Sequence, residues 1–182
     1  HIKNFLYIAG FSLLISLGVF RSYSVVFGAL YLLRLVSYSY LFLAAWNIIK
    51  DKKKWFGLLL GVCFAVGVFG WFQYFFYPDL RALYAWGWDD HLFRLVGTFL
   101  DPTFTGIILV FGFILSASSF LFNKQRKFLF LSLFFLISVA FTYARAVYLG
   151  LLVGSLVVFI LKKNLKLAAV TVGVFFALVV AL

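Results

Sequence analysis

The sequence has no methionine and no glutamate, and it holds one cysteine, two prolines and two histidines among 182 residues. A single cysteine, Cys63, leaves no disulfide within the chain, so the redox compartment cannot be read from it. Two prolines and no low-complexity stretch leave no room for a Pro-rich linker or a second soluble module. Charge is also scarce: 12% of the residues are charged and 66% are hydrophobic, with a mean hydropathy of +1.13. A soluble domain averages about 45–50% apolar and about 25% charged residues. The excess is too large for one buried core, so the composition reads as an integral membrane protein. The net charge of +11 does not point to nucleic acid, because the lysines sit in short clusters between apolar runs.

The apolar runs cover residues 4–20, 25–49, 55–76, 103–122, 128–143, 146–161 and 167–182. A spanning helix needs about 20 mostly apolar residues. Runs of this length without alternation favour helices over barrel strands. The expected fold class is all-α: a polytopic transmembrane helical bundle of about seven spans, one domain over 1–182, with an extracytoplasmic loop over 77–102. With no methionine and His1 at its head, the chain is expected to be a piece of a longer protein, inactive alone.

Lysine sets the orientation. Lys3, Lys50 with Lys52 to Lys54, Lys124 with Arg126 and Lys127, and Lys162, Lys163 and Lys166 all fall on one side if there are seven spans, and that side is cytoplasmic. The opposite side receives Arg21, Arg81, Arg94 and Arg145, and no lysine. Trp46 and Trp55 flank the first lysine cluster, while Trp71, Trp86 and Trp88 fall near the outer edge, as interfacial belts do.

The loop 77–102 holds four of the five acids, Asp79, Asp89, Asp90 and Asp101, together with Arg81, His91 and Arg94. Loops of this kind carry function more often than the bundle does. Asp101-Pro102-Thr103 reads as a helix start, with Asp101 as cap and Pro102 at the first helical position. Arg94 either pairs with Asp90 at i,i+4 or joins a helix N-terminus in an anion site. Arg145 sits in a very short connection between two apolar runs, where an ionisable residue is costly and functional by default. Arginine grips phosphate oxygens in a bidentate way that lysine cannot. Arg34 lies inside the second run with Tyr31, Ser37 and Tyr38 on its face, which suits a bundle role as well as a phosphate-binding one. Asp89-Asp90-His91 lacks the supporting ligands of a metal site, and neither a metal nor a cofactor is expected. Gly57-x-x-x-Gly61 and Gly150-x-x-x-Gly154 permit close helix packing.

Two strings together resemble the O-antigen ligase and polymerase family of bacterial membrane glycosyltransferases. Arg94-Leu-Val-Gly97-Thr-Phe-Leu-Asp101-Pro102 looks like the family's Arg-x-x-Gly-(Thr)-Phe followed by a Pro-Asn-type turn. Thr142-Tyr-Ala-Arg145-Ala looks like its Thr-x-Ser-Arg-(Gly/Ala) motif. Thr103 stands where an Asn usually follows the Pro, and Ala144 replaces the Ser. The resemblance covers roughly 55–161. It implies a fold like that of membrane-embedded lipid-linked-sugar glycosyltransferases, at the outer face of the bacterial cytoplasmic (inner) membrane. It further implies a donor glycan on undecaprenyl pyrophosphate, an acceptor sugar or lipid, and a later outer loop with an acceptor-activating histidine that is not His91. Under it, Arg94 and Arg145 bind the leaving pyrophosphate, with Arg81, Arg34 and His91 as further substrate contacts, and Asp101, Asp90 or His91 as the nearby bases. Membrane lipids are the remaining partners; nucleic acid is not one. A transporter or flippase of anionic lipid-linked material would use the same arginines without chemistry, and a structural membrane subunit is the third possibility.

The orientation has a direct check. With single cysteines in place of Lys53 and Asp89, an impermeant thiol reagent on intact cells labels the Asp89 position and spares the Lys53 position. The reverse pattern overturns the topology.

Overall fold

A computed structural model describes residues 49–161 and 165–181 and scattered positions between 33 and 48. The expected first span, with Lys3, Arg21, Tyr31, Trp46, Lys162 and Lys163, lies outside the described residues. The described chain is mostly helical and has no strand. It divides into two compact units, 1–55 and 56–182.

In the first unit, Leu33, Arg34, Val36 to Tyr38 and Tyr40 are helical. Arg34 Nε donates to the Tyr38 hydroxyl at 2.9 Å, and the guanidinium lies over the Tyr38 ring. Ser37 bonds its own helix instead, at Leu33 O.

In the second unit the helices are α1 (Lys52–Phe76, which begins in the first unit), α2 (Pro102–Asn123), α3 (Arg126–Ala140), α4 (Arg145–Leu161) and α5 (Leu165–Ala181). Their bounds track the apolar runs closely. Asp101 caps α2, accepting from Thr103 N at 2.6 Å and Phe104 N at 2.9 Å, with Pro102 at the first position, where its missing N–H costs nothing. Lys124, at φ +55, ends α2, and two residues later α3 begins, so the two helices form an antiparallel pair. α3 stops after 15 residues because Thr142 Oγ1 bonds back to Val139 O and Tyr143 takes φ +52.

α1 and α2 are long and apolar enough to cross a membrane. α3, α4 and α5, at 15, 17 and 17 residues, fall short of that length, so the expected seven crossings are met only in part. α2 is the central helix, packed on α3 and α4; α5 packs on both of these. Half of the apolar window of α2 is buried, against 22% for α1, which lies at the periphery. The apolar core gathers Cys63 on α1, Leu109 and Phe113 on α2, Phe135 and Val139 on α3, Val147 and Leu151 on α4, and Phe175 on α5, with polar side chains such as Gln73, Thr105 and Ser116 buried beside it.

Close approach occurs away from most of the spaced glycine pairs. Gly57, Gly61 and Gly150 face open space, and of those four only Gly154 meets a neighbour, at Ile114. The tightest seam is between α2 and α4, where a Cβ on Gly106 would come within 2.5 and 2.7 Å of the Val147 methyl groups. Val147 is fully buried and has nowhere to retreat. Gly106→Ala is therefore expected to destabilise the detergent-purified protein by about 1–3 kcal/mol. Adding Val147→Ala recovers part of that loss, so the double variant melts higher than the sum of the two single changes requires. Additivity in thermal unfolding would show that the two residues do not meet.

Candidate functional site

The connection between α1 and α2 has two parts. Residues 77–93 form a lobe that closes on itself: Leu80 N–H donates to His91 O and Phe93 N–H to Pro78 O, both at 2.9 Å. A 3₁₀ helix, Arg81–Trp86, fills it and ends at Gly87. Residues 94–101 form a strip that dips into the bundle, and Leu95, Val96 and Gly97 are buried.

Buried backbone must be paired, and the strip is paired to three different helices. Leu95 N–H donates to Phe141 O, just beyond α3, at 2.9 Å. Gln73 of α1 accepts at Oε1 from Val96 N at 3.1 Å and from Gly97 N at 3.4 Å. Its amide nitrogen donates to Tyr77 O. Thr105 of α2 donates its hydroxyl to Val96 O. Leu95 packs its side chain over Gly70, and Gly97 adopts φ +59 with Thr105 against its α-carbon, a place without room for a side chain.

This strip brings the two arginine strings together. Arg94 immediately precedes Leu95, and Arg145 follows four residues after Phe141, at the first position of α4. Both arginines are exposed. Among the described residues neither side chain holds a hydrogen bond or an ion pair, and Tyr148 lies one turn into α4 from Arg145. The Tyr148 hydroxyl donates to the carbonyl oxygen of Ala140, the last residue of α3, at 2.8 Å. A cation at a helix N-terminus opposes the helix dipole and costs about 0.3–1 kcal/mol. Arg145 therefore does nothing for α4, but it raises the positive potential at a place where backbone N–H groups already favour an anion. Three residues other than glycine with positive φ, Phe93, Leu100 and Tyr143, flank these segments. Such conformations cluster where a chain must present particular groups.

The remaining candidates are placed differently. Arg81 is engaged by Asp79 through two bonds, Nε to Oδ1 at 2.9 Å and Nη2 to Oδ2 at 2.8 Å. The Arg81 guanidinium holds the Asp79 carboxyl down at about 2. Asp90 adds to the field on Arg81, and the chain around Arg94 is not helical, so the Asp90–Arg94 pair at i,i+4 is not formed. Asp101 is committed to its cap through Oδ1 and is half-buried. His91 is buried, at 7% exposure, and its Nδ1 has no partner, whereas Asp89 and Asp90 are exposed. Arg34 belongs to the first unit.

Sequence reading missed Gln73, Thr105 and the aromatic wall behind Phe141. Trp71 lies 4.8 Å and Tyr74 5.3 Å from the Phe141 ring, and Trp71 Nε1 donates to Ser138 Oγ. Gln73 carried a signal, as the lone amide in an apolar helix; polar groups in such places need a partner. The chain matches no family model, no curated protein and no solved structure.

The Asp79–Arg81 pair gives a titration. The folded Asp79 carboxyl sits below its ordinary value of 3.8, so the pair is fully formed above that value and is lost as pH falls through about 2. Carboxyl NMR is expected to show an Asp79 midpoint near 2, and Arg81→Ala returns it to the ordinary carboxylate range. An ordinary midpoint in the unaltered chain would mean the pair is absent in solution.

Proposed function

We propose that this chain is the donor-binding part of a membrane glycosyltransferase. It would move a glycan from an undecaprenyl-pyrophosphate-linked donor to an acceptor sugar or lipid at the outer face of the bacterial cytoplasmic membrane. The spans number about seven, with the lysine clusters in the cytoplasm and the Arg94 and Arg145 segments outside. The observation that supports this reading is the Leu95–Phe141 bond, which joins the segment that carries Arg94 to the one that leads into Arg145, both arginines being exposed.

The membrane location is supported by the outer surface of α1, where Leu58, Val62, Val68, Phe72 and Phe76 are all exposed. Soluble monomers rarely expose contiguous apolar patches beyond a few hundred Å². α1 and α2 run unbroken, which weighs against the transporter alternative, whose sites use discontinuous helices.

The chemistry follows from charge. The acceptor oxygen attacks the anomeric carbon, the bond to the phosphate oxygen breaks, and the pyrophosphate leaves with the bonding pair. Fixed guanidinium groups that are not already neutralised stabilise that developing charge. Arg94 and Arg145 meet the requirement; Arg81, held by Asp79, does so less well. The acceptor proton needs a base, for which Asp90 and Asp101 are the exposed and half-exposed carboxylates nearby, with His91 behind them.

Arg94→Lys and Arg145→Lys, each made in the whole protein, keep the charge and lose the fork. Each is expected to lower transfer of lipid-linked glycan on the order of 100-fold, the scale seen when a charge-stabilising donor is removed. Unaltered transfer in both variants, at unaltered protein level, overturns the proposal.

A further inference from the structure

We infer that the lobe of residues 77–93 is seated in the lipid headgroup layer, with Tyr84, Trp86 and Trp88 as its contact with the bilayer. The inference rests on the reading that α1 crosses the membrane, but not on the transferase chemistry.

Three observations lead to it. The first is the kind of surface the lobe presents. Tyr77, Tyr84, Trp86, Trp88, Leu92 and Phe93 are all exposed, Trp86 at 81% and Tyr84 at 71%. Five of these six are aromatic, and four carry the polar tip that suits a boundary between apolar and wet surroundings. Gly87, at φ +86, turns the chain between the two tryptophans, so neither is drawn into a core.

The second is continuity with α1. At about 1.5 Å per residue, the 25 residues of α1 extend about 37 Å, more than the hydrocarbon thickness of about 30 Å. With Lys52 to Lys54 in one headgroup layer, Phe76 reaches the other. Phe72, Phe75 and Phe76 are exposed, and Tyr77 continues that surface without a polar break. The Leu80–His91 and Phe93–Pro78 bonds close the lobe on itself, and its first residue, Tyr77, is held to α1 twice, donating its N–H to Gln73 O at 2.7 Å and accepting from the Gln73 amide at 3.0 Å, so the lobe cannot stand far from the bilayer.

The third is charge. The lobe has no lysine, its one arginine is held by Asp79, and Asp89 and Asp90 are exposed. Exposed carboxylates bar the hydrocarbon and fix the depth at the headgroups. With no free cation of its own, the lobe gains nothing from anionic lipid, so its seating does not depend on lipid charge. An exposed Trp and Tyr pair beside carboxylates is also a surface on which sugars stack. The continuity with α1 favours lipid over sugar.

The test is fluorine NMR of the chain labelled with 5-fluorotryptophan and reconstituted in phosphatidylcholine vesicles. The Trp86 and Trp88 resonances are assigned with Trp86→Phe and Trp88→Phe, and Trp55, exposed on the first turn of α1, is the control. A lipid carrying a nitroxide near its headgroup is expected to erase the Trp86 and Trp88 resonances, and a nitroxide at the acyl-chain end to weaken them less. Survival of both resonances beside the headgroup label overturns the inference. A shift on adding a soluble oligosaccharide, with no loss to either lipid label, overturns it in favour of a sugar platform. If Trp55 is erased while Trp86 and Trp88 survive, the lobe inference falls and the membrane reading of α1 stands. If all three survive, both fall.

Discussion

The structure turns on a stretch of backbone that must be paired where no water competes. Leu95, Val96 and Gly97 lie inside an apolar bundle, and unpaired N–H and C=O groups there would each cost about 1–3 kcal/mol. Their partners come from three helices: Gln73 on α1, Thr105 on α2 and the Phe141 carbonyl at the end of α3. Each of these groups needs the strip as much as the strip needs them. Gln73 is itself buried on a helix that carries no other amide or charge beyond Lys54, and its amide is satisfied by the strip and Tyr77. The strip is thus both a loop and a core element, and it sets the relation among the ends of α1, α2 and α3.

The arginines fall into two electrostatic groups as a result. Arg81 and Arg34 sit where local partners answer them, a carboxylate in one case and a tyrosine in the other. Arg94 and Arg145 flank the buried strip, where the neighbouring polar groups are already used by backbone. Asp101, the last residue of the strip, spends Oδ1 on the first turn of α2. Among the described residues, no carboxylate pairs with either of these two guanidinium groups.

Much of the fold was legible in the sequence because apolar runs and caps are local signals. The bounds of α1, α2, α4 and α5 fall within about three residues of the apolar runs, within the usual disagreement of boundary assignments. Asp101-Pro102 announced the start of α2 because capping depends on residues one to three apart. The site was legible in part. Arg94 and Arg145 stood out by their residue type and surroundings, but what joins them did not. The Leu95–Phe141 bond links backbone groups 46 positions apart, and backbone leaves no mark in side-chain identity. The glycine spacings misled for a related reason: a Gly-x-x-x-Gly pair permits close approach without providing a partner, and Gly57 and Gly61 face open space. Arg94 and Asp90 have the spacing of a helical pair, but the lobe is not helical there, and geometry rather than spacing decides.

What distinguishes Arg94 and Arg145 from other exposed cations is the backbone beneath them. Phe93 N–H is bonded to Pro78 O on one side of Arg94, and Leu95 N–H to Phe141 O on the other. Ala144, next to Arg145, donates its N–H to Thr142 Oγ1 and accepts at its carbonyl from Val147 and Tyr148. Both arginines therefore project from backbone held on each side, while their own side chains stay exposed and unengaged. A flexible loop would have to order its backbone each time an anion bound, at a cost of about 1–2 kcal/mol for each residue fixed. Here that ordering is done in folding: the Leu95–Phe141 bond, which the buried strip requires in any case, holds the backbone beside Arg94, and the bonds at Ala144 hold that beside Arg145. Under the proposed function, the binding energy of a phosphate group would then go into holding the ligand rather than into shaping the site. The Leu95–Phe141 bond thus serves twice: it satisfies a buried amide of the strip, and it fixes the backbone beside Arg94.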